Sequence, residues 1–272
     1  MTEEMKNLFA DPIRREKLMA VLTECSDYAL QHQEDITRSY KSDGTVLTRT
    51  DMHIHRRVTE TLADLYPGCA VISEESDHSL KNSTGCCFVL DPIDGTDAYS
   101  QGMPSWCIAL GIIDEQLKPV GGIVIAPRWG IGSSQALVIQ RFPGEQPLLN
   151  GSPMKPKQFT PPPKQIVVCS GAHKQLSLKG LPVKLRTFGS SIIHILSPVI
   201  HSHIDVTVFA PVYPWDIAAA HGIIDALGLR VEYLSGEEID YRILIDRRKT
   251  DDTAVAGTAE MIEALHNLLD QK

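Results

Sequence analysis

The stretch that most limits what this chain can become is FVLDPIDGTDAY, residues 88 to 99. A short apolar run, Phe88, Val89 and Leu90, has the length of a buried strand and stops at Asp91-Pro92. Asp91 and Asp94 stand three apart around a proline of fixed φ, so a sharp turn can carry both carboxylates and the Ile93 carbonyl to one side. Gly95 lets the backbone approach a bound group, and Thr96 places a hydroxyl and an N–H at what reads as a helix start. Carboxylates for a hard cation thus stand beside amides for an anion, the pairing that metal-assisted phosphate chemistry requires. Asp-Pro and Asp-Gly are also ordinary turn dipeptides, and a capped turn is the competing reading. A calcium loop is excluded because its ligands alternate, whereas these acids fall at 91, 94 and 97. Phosphatases with an aspartyl nucleophile place their two aspartates two apart, not three.

A chain of 272 residues, 43% of them hydrophobic, can bury a sizeable core as one large domain or two closely joined halves. The net charge of -8 and a pI near 5.7 argue against nonspecific nucleic-acid binding. No run of about 18 apolar residues marks a membrane span, and the charged start MTEEMKNLFADPIRREK does not resemble a signal peptide, so a cytoplasmic location is expected. Six cysteines without a CxxC indicate neither a zinc ribbon nor a disulfide framework, and free buried thiols are expected.

In chain order, Asp11-Pro12 reads as a cap for a long amphipathic helix carrying Leu18, Leu22, Cys25 and Ala29. An Asp-Gly turn and a β-prone run over 41–51 lead to a second helix with Ile54, Val58, Leu62 and Leu65 on one face. Asp51, at its start, is a helix cap on one reading and a projecting carboxylate on the other. A strand over 70–72 runs into Ser73-Glu74-Glu75-Ser76, a second acidic cluster. The 88–90 strand and β-like runs at 106–113, 120–126 and 136–139 predict an antiparallel sheet. Proline-rich residues 143–164 read as a connection between an N-terminal half, 1–150, and a C-terminal half, 165–272. That second half alternates strands near 166–169, 185–188, 204–209 and 254–256 with helices beginning near 189–191 and 215, a hairpin at 235–236 and a last helix over 258–269. The fold class is α+β, with helices layered on mixed sheets. His53/His55 and His201/His203 form HxH pairs; the first lies in a predicted helix, where residues two apart diverge, so neither pair is read as a metal site.

Four segments then line up in order: Asp51, the SEES acids Glu74 and Glu75, DPIDGT at 91–96 and WDIAA at 215–219, with a YP turn before SEES and RTFGSS at 186–191. Together they resemble the magnesium-dependent, lithium-sensitive phosphomonoesterases of the inositol monophosphatase family, over most of the chain. The resemblance implies a single catalytic domain, 1–272, folded as an α-β-α-β-α sandwich with a mainly antiparallel N-terminal sheet and a mixed C-terminal one. It implies that Glu74, Asp91 and the Ile93 carbonyl hold one Mg²⁺ and that Asp91, Asp94 and Asp216 hold a second. Glu75 would stand behind these ligands or assist a third ion, and Mn²⁺ is a possible substitute because hard oxygen donors suit both. Asp51 and Thr96 would orient and deprotonate the attacking water, and the Gly95 and Thr96 amides would hold the phosphate. Gly189 and Ser190 would face the organic part of the substrate, with Asp216 and position 209 also bordering it. A homodimer is implied as well.

Some positions depart from the family pattern. Animal inositol monophosphatases carry, seven residues before the WD aspartate, a glutamate that contacts inositol; here it is Phe209, which cannot accept those hydrogen bonds. After DGT the chain has Asp97-Ala98-Tyr99 instead of Thr-Asn-Phe or Lys-Glu-Phe, and a later glycine pair is reduced to Gly228-Leu229. GSS and Asp240-Tyr241 lean toward the adenosine 3',5'-bisphosphate phosphatases, whereas DPID leans back. The reading is Mg²⁺-dependent hydrolysis of a small phosphomonoester without a phosphoenzyme. Inositol monophosphate is the first substrate, and adenosine 3',5'-bisphosphate or fructose 1,6-bisphosphate the alternative. A silent phosphosugar-binding protein is the non-enzymatic alternative, and neither nucleic acid nor membrane is expected as a partner.

Overall fold

The structure, a computed structural model, describes residues 3–42, 44–76, 85–130, 136–246 and 248–270. A short helix α1 (Glu3–Ala10), absent from the sequence reading, precedes α2 (Pro12–His32). α2 starts where expected because Asp11 accepts from the Ile13 and Arg14 amides and Pro12 takes the first helical position. A hairpin of β1 (Ser39–Tyr40) and β2 (Val46–Leu47) then delivers the chain to α3 (Arg49–Leu65); Asp43 of the expected turn lies outside the described residues. Ile54, Val58 and Leu62 are buried on α3 as the periodicity predicts.

The first sheet runs β3 (Ala70–Ser73), β4 (Cys87–Asp94), β5 (Cys107–Ile113), β6 (Pro119–Ala126), β7 (Leu137–Arg141), β8 (Leu148–Leu149) and β9 (Ser152–Pro153) in spatial order, with a short α4 (Thr96–Ser100) after β4. Only β3–β4 is parallel. The proline-rich stretch is not wholly irregular, since β8 and β9 close the sheet's edge before the chain crosses over. The second sheet comprises β10 (Gln165–Val168), β11 (Lys184–Arg186), β12 (Val206–Phe209), β13 (Arg230–Tyr233) and β14 (Ala254–Gly257) in the order β11-β10-β12-β14-β13. Its first three strands are parallel and the last two antiparallel. Between its strands lie α5 (Ser191–Ile200), α6 (Ala218–Ile224) and α7 (Tyr241–Leu244), and α8 (Ala259–Asp270) ends the described chain.

Three apolar clusters define the layers. Phe88 and Leu90 point to a core shared with α2 and α3, while Cys87 and Val89 point to a second core shared with α5, α6 and the second sheet. The run is continuously apolar because both faces of β4 are covered. A third cluster, including Ile166, Val206, Ile262 and Leu265, seats α8 on the far face of the second sheet. The order is therefore α-β-α-β-α. The Lys157 ammonium ties the connection to the second half by donating to the Pro198, His201 and Ile204 carbonyls at 3.2, 3.0 and 2.7 Å.

The middle layer is thin where it matters. A Cβ on Gly111 would meet Ala218 at 2.7 Å, and Gly122 lies against Ala219, so the Ala218-Ala219-Ala220 run lets α6 settle onto the sheet. That close approach carries the preceding 3₁₀ turn, Pro214–Asp216, toward β4.

One expectation changes. Cys69 and Cys86 form a disulfide: they continue the parallel β3–β4 register one pair before Ala70↔Cys87, which brings their Cα atoms to 5.0 Å, within bridging range. Cys25, Cys87 and Cys107 are free and buried, and Cys169 is free and partly buried. Among the described residues no helix is long and apolar enough to cross a membrane.

Candidate active site

A strand that alternated strictly would send Asp91 and Asp94 to opposite faces. The pairing of β4 with β5 runs from Asp91↔Ala109 to Asp94↔Cys107, so three steps on one strand face two on the other. This bulge at Pro92-Ile93 turns Ile93 toward α2 and α3 and brings both aspartates to the middle layer. There Asp216 meets them: one oxygen from each of Asp91, Asp94 and Asp216 lies within 4.8 Å of the others.

The two strand aspartates are held differently. Asp94 accepts from the Ser190 hydroxyl and from the Ser191 and Ile192 amides, at 3.1 and 2.7 Å for the latter two, and so caps the start of α5. Asp216 accepts from the Tyr213 amide at 2.8 Å. Asp91 Oδ1 is buried without a hydrogen-bond partner. Burial, then the charges of Glu74, Asp94, Asp216 and Asp51, push the Asp91 carboxyl far above the usual carboxylate range. Burial also raises Asp94 to about 6, against the pull of its three donors, and raises Asp216 well up with help from Asp94 and Glu74.

Glu74 and Glu75 follow β3 and are bridged by one cation of the protein itself. Lys41, on the β1–β2 hairpin, places its ammonium 2.6 Å from an oxygen of each. Burial nonetheless raises Glu74, with the Lys41 charge opposing. Lys41 thus already offers these acids a cation, and Asp91 belongs to the same group of carboxyls, since Glu74 is the strongest charge acting on it. Glu74, Asp91, Asp94 and Asp216 offer hard oxygen donors with no thiolate or imidazole among them, which fits Mg²⁺ or Mn²⁺.

Asp51 is fully buried and serves both readings of its position at once. Its Oδ2 accepts from the Thr48 amide (2.9 Å) and hydroxyl (2.5 Å) in a capping box, while its Oδ1 lies 3.2 Å from the Thr96 hydroxyl. Burial raises Asp51 to about 7, against those Thr48 hydrogen bonds. Thr96 Oγ1 is also 2.8 Å from the Ile93 carbonyl, so its single proton has two acceptors. Gly95 has φ of +93°, and a Cβ there would come 2.9 Å from the Gly189 carbonyl. Gly189 in turn donates to Ser105 Oγ at 3.2 Å.

Asp51, Glu74, Glu75, Asp91, Ile93, Asp94, Gly95, Thr96, Gly189, Ser190 and Asp216 therefore come from separate elements to one place. Phe209 does not join them as a surface. It is fully enclosed in the core that also holds α5 and α6, because its position in β12 points it between the layers, and it offers nothing to a ligand. Sequence reasoning missed Lys41, since one lysine in a turn carries no periodic signal. It also missed Lys249, whose ammonium lies 4.7 Å from the Tyr213 ring centroid and whose charge reaches Asp216. The HxH pairs diverge: His53 stacks on Tyr28, His55 contacts Ser73 Oγ, and His201 accepts from the Trp129 indole.

Comparison with known proteins places this geometry among phosphatases. The profile of the inositol monophosphatase family matches residues 14–268. The 3'(2'),5'-bisphosphate nucleotidase CysQ of Escherichia coli is 26% identical over 208 residues, covering 74% of this chain and 81% of that protein. A staphylococcal inositol monophosphatase-1, solved as an inhibitory complex after a LiCl soak, superposes with a TM-score of 0.78 at 18% identity over 94% of both chains. An IMPase/NADP phosphatase complexed with Mg²⁺ and phosphate does so with a TM-score of 0.78 at 18% identity over 95% of both.

Proposed function

The chain belongs to the inositol monophosphatase family and is a phosphoric monoester hydrolase; from that premise we propose that it hydrolyses a small phosphorylated metabolite at the Asp91–Asp94–Asp216 centre, with water as the nucleophile. The observation that carries this reading is the buried, unpartnered Asp91 oxygen inside a cluster of three aspartates, with the Asp51–Thr96 pair near by.

Glu74, Asp91 and the Ile93 carbonyl would hold one Mg²⁺, and Asp91, Asp94 and Asp216 a second, with Glu75 available to a third. Bound Mg²⁺ would supply Lewis-acid polarisation of the phosphoryl group and a lowered pKa for water. The rest falls to the chain. Thr96 Oγ1 orients the attacking water by turning its own proton toward Asp51 or the Ile93 carbonyl. Asp51, with a pKa near neutrality, takes up the proton that leaves the water. The Gly95 and Thr96 amides, at the start of α4, face the phosphate oxygens. Ser190 keeps Asp94 oriented, and Gly189 lets its loop close against Gly95, Ala98 and Ser105, which holds the start of α4 in place.

Inositol monophosphate is the first substrate to test. A second reading, adenosine 3',5'-bisphosphate, has two supports: the Escherichia coli relative, and Lys249, an exposed cation beside Asp216 suited to a second phosphate. The test is phosphate release from inositol 1-phosphate, adenosine 3',5'-bisphosphate and fructose 1,6-bisphosphate, with and without Mg²⁺, with Mn²⁺ in its place and with Li⁺ added. Mg²⁺-dependent turnover of one substrate is the expected result. Absence of both turnover and Mg²⁺ binding would sink the reading in favour of a silent phosphosugar-binding protein. Lithium inhibition belongs to the same proposal, as does a homodimeric state, which sedimentation reads directly.

A further inference from the structure

The face of α3 opposite its buried residues carries a stripe of side chains that the hydrolysis above does not use. Arg49, His53, Arg56 and Glu60 follow one another at spacings of four, three and four, which is a single stripe of a helix. With Tyr28 of α2 and the flanking His55 and Thr59, they line a shallow, open groove of about 610 Å³.

Three features make this more than a solvated helix face. The chain carries a net charge of -8, yet among the described residues neither the Arg49 nor the Arg56 guanidinium has an acidic partner, while the neighbouring Arg57 pairs with Glu24. His53 is fixed rather than free: its ring stacks on Tyr28 at 3.8 Å between centroids, and Tyr28 stacks on His32 at 3.9 Å. Glu60 is the single acid lining the groove and stands one turn beyond Arg56, so the Arg49 end of the stripe carries no acid.

We propose that this groove binds a small molecule bearing two phosphate-type anionic groups. Seven residues of helix set the backbone positions of the two arginines roughly 10 Å apart along the axis, with His53 between them. One oxyanion cannot occupy both forks at full strength, whereas a ligand with two such groups engages each bidentately. The site lies on the outer face of the helix whose inner face carries Asp51, so it is distinct from the acid cluster and independent of which substrate that cluster takes.

The test uses the full chain stripped of metal by chelator and then freed of the chelator, itself a polyanion that would compete for the groove. Calorimetric titration with hexane-1,6-diol bisphosphate, whose two phosphates can stand roughly 10 Å apart as the arginine positions do, should show saturable binding with a dissociation constant below about 1 mM. Monophosphate, and pyrophosphate, whose two groups share one oxygen and cannot span the arginines, should each bind about ten-fold more weakly. Arg56→Glu should weaken bisphosphate binding at least about ten-fold, and Arg56→Lys, which keeps the charge but loses the fork, should fall between that variant and wild type. Both substitutions are at an exposed position, and unchanged thermal unfolding certifies the fold. The proposal is overturned by an absence of saturable binding, by an Arg56→Glu variant that binds like wild type, or by pyrophosphate binding as tightly as the bisphosphate.

Discussion

Asp91 and Asp94 lie three residues apart in β4 and are 2% and 3% exposed, yet Asp94 receives a hydroxyl and two amides while one oxygen of Asp91 receives nothing. A buried carboxylate without donors costs several times what a hydrogen-bonded one does. The difference separates two tasks. Asp94 fastens the first sheet to the start of α5, so it is part of the frame as well as of the centre. Asp91 meets the neighbouring Glu74 carboxyl instead of a donor from another layer, and the fold keeps it charged and crowded only if a cation arrives from outside.

The largest expected effect tests Asp91. On the proposed reading Asp91→Asn loses at least ~10³ in turnover at saturating Mg²⁺, since a ligand shared by both ions is gone. The same variant, free of metal, should unfold at a denaturant concentration equal to or above that of the wild type, because a neutral amide relieves the repulsion around it. Near-normal turnover would break the comparison on its catalytic side.

Asp94→Asn should do the reverse to stability. An amide can accept through one oxygen only, so at least one of three charge-assisted donors is stranded, and a loss of about 2–3 kcal/mol is expected in metal-free urea unfolding. Equal unfolding midpoints for the two variants would mean that the hydrogen bonds to Asp94 carry no net stability.

The pH dependence sharpens the contrast between carboxyls and cation. Asp51 is raised to about 7 and Asp94 to about 6, both from an ordinary value of 3.8. The folded, metal-free chain therefore holds protons that the unfolded chain has released. This contribution to stability is complete below about pH 4 and is lost as the pH rises through 6 and 7. Thermal unfolding in chelator should move to lower temperature between pH 5 and pH 8. Mg²⁺ should raise it most at pH 8, where it no longer competes with protons. A Mg²⁺ effect that is largest at pH 5 would contradict the assignment.

Part of this centre could be read from residues alone because its acids fall at chain breaks: Asp91 and Asp94 after one apolar run, Glu74 and Glu75 after another. Asp216 and the five-layer order came through the family resemblance, whereas the α+β class followed from strand-like runs interspersed with helical periodicity. What escaped depends on contacts between distant segments. The bulge that aligns Asp91 with Asp94 is set by the partner strand, and the descent of Asp216 toward them depends on Gly111 and Gly122 meeting Ala218 and Ala219 across layers. The Cys69–Cys86 bridge depends on a parallel register that spacing does not reveal. Phe209 matched a family position by count, but only its strand register shows that it points into the core.

Lys41 carries the smallest prediction and extends the comparison to a third mode, a carboxylate pair balanced by the protein's own cation. Its ammonium bridges Glu74 and Glu75, and those charges, acting against burial, raise its pKa above the ordinary lysine value. Magnesium taken up through Glu74 must therefore displace or share with that ammonium, and the hairpin carrying Lys41 must give way. Replacing Lys41 with Gln removes the competitor and leaves Glu74 less well balanced in the metal-free state. Both changes favour the metal-bound form, so the Mg²⁺ concentration giving half-saturation should fall by about three- to ten-fold in a direct binding titration. If it rises instead, Lys41 assists the bound state, and Glu74 belongs with Asp94 as a residue whose charge the protein itself satisfies.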